Sequence, residues 1–369
     1  MEVIITQENF NRGLQIVSRV ATTKSSLPIL ANIYLSAESG QLKLSATDLE
    51  IGVITFIGAK VKTEGAITLP ARLLVDFVTS NTDATLTFSF KGTEATLRSD
   101  RYEAVIHGLD PSEFPPIPAP SAKSNIRVPA MILRRALQDT VFAAAIDDAR
   151  PVLNGLYLSA SERELVLAAT DSYRLAEKRL KLAEALNKPM AAILPARVVI
   201  ELGRILPDSE QEVTLSLAEN QLSLEFDQTQ VVSRLIEGTF PDYRQIIPVK
   251  SATTITAERS QLIAAVRMAS LFARDASHQV RLAAKAPEML RLTAVSSAVG
   301  KNQATAPAEV AGDPVEIAFN AKFLLDALNV IHTDTIKLEL AGTDRPGVLR
   351  PEGETDYLSL VMPLRVDAQ

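Results

Sequence analysis

The chain contains no cysteine, no tryptophan and only three histidines, and just 5% of its residues are aromatic. Without cysteine there is no disulfide framework, no thiolate nucleophile and no zinc–cysteine site. His107, His278 and His332 lie too far apart in sequence to nominate a metal or acid–base centre. No glycine-rich loop stands ready to cradle a phosphate. Long apolar runs are missing too: nothing approaches the roughly 20 residues a membrane-spanning helix needs, and residues 1–8 lack the basic start and apolar stretch of a leader. These gaps predict a cytoplasmic, non-catalytic protein with no cofactor, no metal and no membrane partner, built on aliphatic cores.

What is present is globular in composition, 47% hydrophobic and 22% charged over 369 residues. That length exceeds what one core supports and fits three units of about 120 residues. A repeat gives the units their register. Leu194-Pro195-Ala196-Arg197-Val198-Val199-Ile200-Glu201-Leu202 nearly copies Leu69-Pro70-Ala71-Arg72-Leu73-Leu74-Val75-Asp76-Phe77, and Phe319-Asn320-Ala321-Lys322-Phe323-Leu324-Leu325-Asp326-Ala327 is a diverged third copy. The cations at 72, 197 and 322 and the acids at 76, 201 and 326 each recur every 125 residues. Each copy reads as a short helix, with proline at the first helical position in two of them and a cation on the polar face four residues before an acid.

Taken in order, Thr6 is placed to cap a helix over 7–20, with Phe10, Leu14 and Val17 facing the core and Arg12 and Arg19 opposite. Alternation predicts strands over 29–36, 41–47, 52–57 and 66–69, then 84–90, 95–99 and 104–108 beyond the first repeated helix. The proline-rich stretch 111–120 is a stiff connector and marks the first boundary. The second unit has a helix over 129–145, carrying Arg134 and Arg135 opposite Ile132, Leu133, Leu137 and Val141, strands over 153–159 and 165–170, and a helix over 195–206. The third has helices over 258–273 and 321–331. Ala169-Thr170-Asp171 echoes Ala46-Thr47-Asp48, and Gly238-Thr239-Phe240-Pro241 echoes Ser112-Glu113-Phe114-Pro115. The third unit has Thr293-Ala294-Val295-Ser296-Ser297 instead of a Thr-Asp pair. The expected fold is α+β: three similar domains at 1–121, 122–249 and 250–369, each with two helices and about eight strands.

Asp48 and Asp171 are the only carboxylates that invite a catalytic reading, as a glycosidase pair. They occupy equivalent places in separate units, so each Thr-Asp reads instead as the closure of a strand turn. Cations recur more systematically: Arg12, Arg19, Arg72, Arg134, Arg135, Arg197, Arg204, Arg259, Arg267 and Lys322 all fall on helix faces opposite the core. A net charge of −6 does not oppose a polyanionic partner, because net charge says little about where charges sit.

Leu27-Pro28-Ile29-Leu30, Ala46-Thr47-Asp48-Leu49-Glu50, both Pro-Ala-Arg helices, Leu153-Asn154-Gly155, Arg174-Leu175, Phe240-Pro241-Asp242-Tyr243-Arg244 and Val361-Met362-Pro363-Leu364-Arg365 occur in an order that resembles the bacterial DNA polymerase III beta-subunit (sliding clamp) family over essentially the whole chain. The resemblance implies a head-to-tail homodimer whose six domains close into a ring around double-stranded DNA, helices inside and sheets outside. Twelve helices about 10 Å apart make a circle roughly 38 Å across, wide enough for a duplex.

The resemblance adds Lys24 and the 147–150 loop, with Arg150, to the DNA-facing cations. It also implies a pocket for short motifs of the DNA polymerase alpha subunit, the clamp loader and other clients. Its matching residues are Leu153, Thr170, Ser172, Tyr173, Arg174, Leu175, Pro241, Ile246, Val348, Leu360, Met362, Pro363, Leu364 and Arg365, with Leu153, Leu175, Leu360 and Met362 as floor and Thr170, Arg174 and Arg365 at the rim. Leu73, Phe77 and Ile106 match dimer contacts on one side, Leu271 and Phe272 on the other. Ser172-Tyr173 departs from the family's common Gly-His, Gln245 replaces a frequent arginine, and 366–369 run past the usual end. The rival class, a carbohydrate-binding or carbohydrate-acting repeat protein, sits poorly with no tryptophan and six tyrosines.

Overall fold

A computed structural model describes residues 1–22, 26–38, 40–118, 125–147, 149–186, 188–218, 220–274, 277–285 and 289–365. Lys24, Asp148 and 366–369, singled out above, lie outside the described residues. Among the described residues the α-helices are α1 (Gln7–Val17), α2 (Ala71–Ser80), α3 (Ala130–Val141), α4 (Ala196–Ile205), α5 (Arg259–Ser270) and α6 (Ala321–Val330). Each copy of the repeat holds two of them with eight or nine strands among the described residues, all paired antiparallel. No helix among the described residues is long and apolar enough to cross a membrane.

The chain divides into two compact units, residues 1–134 with 201–235, and residues 135–200 with 236–369. In the first, α1 starts where Thr6 accepts a hydrogen bond from the Asn9 N–H, and Phe10, Leu14 and Val17 are fully buried. It ends at Val17, three residues short of the expectation, because the Val20 N–H turns back to the Val17 carbonyl. Gly13 lets α1 press on the sheet: a Cβ there would stand 2.5 Å from Leu44 Cδ1. Gln7 Nε2 donates to the Val78 carbonyl and ties α1 to α2.

Where a strand was expected from residue 29, Pro28–Ala31 makes a single 3₁₀ turn and the strand begins at Asn32. The second copy repeats this, with Pro151–Leu153 preceding Gly155–Ser161. Proline fixes φ at the turn's first position and lacks the N–H a strand ladder would use. Pro70 and Pro195 close a strand rather than opening the helix, which starts at the following alanine. Asn320 in the third copy instead accepts from the Lys322 and Phe323 N–H groups, a true side-chain cap. On α3 the expected core residue Ile132 is 42% exposed.

The sheets run through successive copies. In the first unit an eight-stranded sheet joins Ile51–Gly58 to Thr229–Arg234, with Gly52 opposite Val232. In the second a twelve-stranded sheet joins Arg174–Lys181 to Tyr357–Val361, with Leu175 opposite Leu360. Each join pairs the strand after a Thr-Asp turn with the last strand of the following copy.

Beside the five-stranded sheet of the first unit, Asp83 takes hydrogen bonds from Ser99 Oγ, the Arg101 N–H and Arg101 Nε. The Ser99 hydroxyl first, then Arg101, hold its pKa below the usual 3.8. A depressed carboxylate stabilises the fold above its ordinary pKa, and that contribution is lost as pH falls through the folded value. Asp83→Asn is therefore expected to lower the melting temperature at pH 7. The deficit should shrink steadily in melts taken below pH 4, and a deficit independent of pH would contradict this role.

Candidate functional site

The second unit gathers most of the residues expected to form a pocket. Its turn is built from Thr170 and Asp171. Thr170 Oγ1 donates to the Arg174 carbonyl at 2.6 Å and accepts from the Ser172 N–H, while Asp171 Oδ1 accepts from the Tyr173 and Arg174 N–H groups at 2.8 and 2.9 Å. Ser172 sits at φ 79°, a conformation that short polar side chains tolerate better than most. With its oxygen committed to backbone, Asp171 closes a turn, and Asp48 does the same, accepting from Glu50 and Ile51.

Below the turn lies an apolar floor. Leu153, Leu175, Val348 and Leu360 are at most 3% exposed and share one cluster with Phe240 and Tyr243, against which Met362 packs half-buried. The Met362 N–H donates to the Tyr173 carbonyl, continuing the sheet, and the Leu364 N–H donates to Ala318, leaving both side chains half-buried. Tyr173 (62%), Ile246 (41%), Pro241, Ser172 and Arg365 are exposed around this floor. The second unit thus sets exposed Tyr173 and Ile246 and half-buried Met362 around a buried apolar cluster, side chains of the kind that contact apolar groups of a short peptide.

Two expected rim groups lie beneath the surface instead. Thr170 is 4% exposed and Arg174 only 6%. Arg174 Nε reaches Asp171 at 2.9 Å and Nη1 reaches Asp326 on α6 at 2.5 Å, while its guanidinium lies over the rings of Phe142 and Phe323. A buried cation needs such partners, because an unpaired one loses its hydration without return. Arg174 thus anchors the turn to α6. Beneath, the Tyr243 hydroxyl donates to the almost fully buried Glu177, which also receives Arg179. Burial, and then the Glu177 carboxylate, push the Tyr243 pKa well above its ordinary value. Sequence reasoning missed this network; in a strand where charged residues outnumber apolar ones, nothing local marks Glu177 and Lys178 as the buried pair.

The expected cations divide by partner. Arg72 is 91% exposed and only loosely paired with Asp76 at 3.9 Å. Arg12, Arg19, Arg197 and Arg267 are exposed, as is Lys322, whose ammonium has no partner among the described residues. Arg204 pairs with Glu201 at 2.7 Å and Arg135 with Asp139 at 3.7 Å. Arg134 and Arg259 are more committed: Arg134 Nε donates to the Gly203 carbonyl and Arg259 Nε to that of Thr333. Arg150 Nη1 donates to Ser172 Oγ, so it stands beside the pocket turn. Of the expected dimer contacts, Leu73 and Leu271 are about half exposed and Phe77 and Phe272 less so. Ile106 is 3% exposed and packs inward, leaving its neighbour Val105, 52% exposed, to face outward.

The decisive comparison covers nearly the whole chain. Three family models match in succession: the DNA polymerase III beta-subunit N-terminal domain over residues 1–118, the central domain over 127–242 and the C-terminal domain over 244–365. The chain belongs to the DNA polymerase III beta-subunit family. It is 32% identical to the beta sliding clamp of Synechococcus elongatus and 29% identical to that of Staphylococcus aureus, covering 99% of this chain and 100% and 99% of those proteins. The solved DNA polymerase sliding clamp of Bacillus subtilis superposes with a TM-score of 0.94 at 28% identity, covering 99% of both chains. A Pseudomonas aeruginosa sliding clamp bound to griselimycin gives 0.94 at 27%, covering 99% of this chain and all of that one. Nothing among these matches supports the carbohydrate alternative.

Removing Arg174 while leaving its partners isolates the bridge that ties the Thr170–Asp171 turn to α6. Arg174→Ala strands Asp171 and Asp326 and is expected to cost about 3–5 kcal/mol in denaturant unfolding. A loss below about 1 kcal/mol would mean the bridge is dispensable.

Proposed function

We propose that this chain is a DNA sliding clamp, a non-catalytic processivity factor whose two copies close head-to-tail around duplex DNA. The domains taking part are 1–121, 122–249 and 250–369. The observation that carries the reading is the succession of sheet joins. Each of two joins pairs the strand after a repeated turn with the last strand of the next copy. By that pattern Glu103–His107, the last strand of the first copy, and the start of Gly300–Gly312, the strand after the third copy's turn, lack such partners among the described residues. Unpaired edges of this kind invite a second chain, and a heterologous contact that closes gives a ring. Val105, Leu73 and Phe77 beside one edge, and Leu271 and Phe272 in the third copy, supply apolar surface for it.

Topology then does what affinity does not. Nonspecific phosphate contacts give dissociation constants of about 10⁻⁴ to 10⁻⁶ M at physiological salt, too weak for long residence. A closed ring stays on DNA without gripping it. Arg12, Arg19, Lys24, Arg72, Arg150, Arg197, Arg267 and Lys322, with the partly committed helix cations, provide the weak phosphate contacts. In this reading the pocket of the second unit holds clamp-binding segments of the polymerase alpha subunit, the clamp loader and other clients, in the bacterial cytoplasm.

The test of encirclement is retention on nicked circular DNA with release after the circle is cut. Leu271→Ala with Phe272→Ala should give a monomer by light scattering at low micromolar concentration and lose retention. A dimer of unchanged mass, or equal retention on linear DNA, would sink the ring.

The pocket is tested separately. Met362→Ala with Leu364→Ala, checked by melting, should weaken a clamp-binding peptide at least tenfold, about 1.4 kcal/mol. Rings already loaded should remain on DNA. Unchanged affinity in the folded double variant would remove the pocket assignment.

A further inference from the structure

The Thr-Asp turn of the first copy makes the same bonds as that of the second. Thr47 Oγ1 donates to the Ile51 carbonyl and accepts from the Leu49 N–H, as Thr170 does with Arg174 and Ser172. Leu49 has φ 77°, matching 79° at Ser172. The Arg234 N–H donates to the Glu50 carbonyl just as Met362 donates to Tyr173. Phe114 packs tilted against Tyr34 with ring centroids 5.3 Å apart, where Phe240 stacks on Tyr157 at 5.0 Å. The backbone cradle of the client pocket therefore exists twice in the chain.

Its lining has changed in kind. Where the client pocket has Leu175, the first copy has Gly52, and Ile117 of the proline-rich strap fills the space: a Cβ on Gly52 would stand 2.8 Å from Ile117 Cγ2. The apolar floor is thus capped by the chain itself. Beside the cap remains a cleft of about 330 Å³, with Leu49 and Pro116 among its walls. Arg234 stands in the place of Met362 and Glu50 in that of Tyr173, and both line the cleft. Neither side chain has a hydrogen-bond or ion-pair partner among the described residues, and the two do not pair with each other.

We infer that this cleft is a second peptide site, which takes a short extended segment placing one acidic side chain against Arg234 and an apolar neighbour against Leu49. The volume lies near the lower end for small-ligand sites and accommodates two or three residues. A charge-assisted bond from an uncommitted guanidinium to a carboxylate is among the stronger single contacts available. Glu50 limits the occupant to one acid, since a second would meet a like charge. The site is independent of the client pocket: it lies in the first unit, with Gly52 capped by Ile117 and Arg234 in the cradle, where the second unit has Leu175 and Met362.

The probe is acetyl-Leu-Glu-Leu-amide against acetyl-Leu-Lys-Leu-amide, added to the full-length protein with labelled isoleucine, leucine and valine methyls. The glutamate peptide should shift Ile51, Ile117 and Val232 at millimolar concentration, and the lysine peptide should bind at least tenfold more weakly. Arg234→Glu should reverse that preference, and Arg234→Gln should abolish it if the charge reversal disturbs the fold. Binding should persist in the Met362→Ala, Leu364→Ala variant, which separates this site from the client pocket and leaves the result independent of whether the chain is a clamp. Absence of shifts at these methyls, equal binding of both peptides, or shifts that survive both Arg234 changes would overturn the assignment.

Discussion

Antiparallel pairing between the end of one copy and the middle of another is the constraint on which the architecture rests. A repeat unit that ends in a strand leaves a row of unpaired N–H and C=O groups, and such an edge must be covered or used. The chain uses it twice, at Ile51–Gly58 with Thr229–Arg234 and at Arg174–Lys181 with Tyr357–Val361. Each receiving strand begins directly after a turn whose Thr hydroxyl and Asp carboxylate are spent on the turn's own backbone. The turn therefore fixes where the strand starts, the start fixes the register, and the register sets which side chains stand beside each join. In the third copy Ser296 performs part of this task, accepting from the Ala298 and Val299 N–H groups.

From one cradle the copies have made two chemistries through buried polarity. Position 174 in the second copy is an arginine, and its equivalent in the first is Ile51, 3% exposed. An isoleucine needs no partners, so the first cradle sits on ordinary apolar packing. The arginine demands two carboxylates and two aromatic faces, and meeting that demand draws α6 onto the turn. Nearby, Asp139 is buried with His332 at 3.3 Å and Arg135 at 3.7 Å, and desolvation raises its pKa against the pull of these two neighbours. Satisfied networks of this sort rigidify a site, whereas half-satisfied ones weaken it.

The helices and most strands were legible in the sequence because their signals are local. Phe10, Leu14 and Val17 mark a buried face at helical spacing, and the strand at Gln41–Thr47 falls where alternation puts it. The strand Glu2–Thr6 was not legible, since five residues before a cap give alternation little length to register. Nor were the joins, because pairing residue 52 with residue 232 leaves no trace in either neighbourhood. Of the candidate site, the apolar floor was readable as a family resemblance, but the depth of Arg174 was not. An arginine ordinarily reads as exposed, and only its distant partner Asp326 makes burial tolerable.

That same partner bears on how a chain of net charge −6 keeps Lys322 uncommitted on the third repeated helix. All three helices place an acid four residues after the cation, yet the three acids do different work. Asp76 approaches Arg72 only to 3.9 Å, Glu201 turns to Arg204 at 2.7 Å, and Asp326 is taken by Arg174 at 2.5 Å. An exposed pair in the Arg72 geometry is worth about 0–1 kcal/mol, too little to hold the guanidinium against a phosphate. In the third helix the acid is withdrawn altogether, because the buried arginine has the stronger claim on it. The bridge that anchors the Thr170–Asp171 turn thereby frees Lys322, so the buried arginine and the cationic face of α6 draw on a single carboxylate.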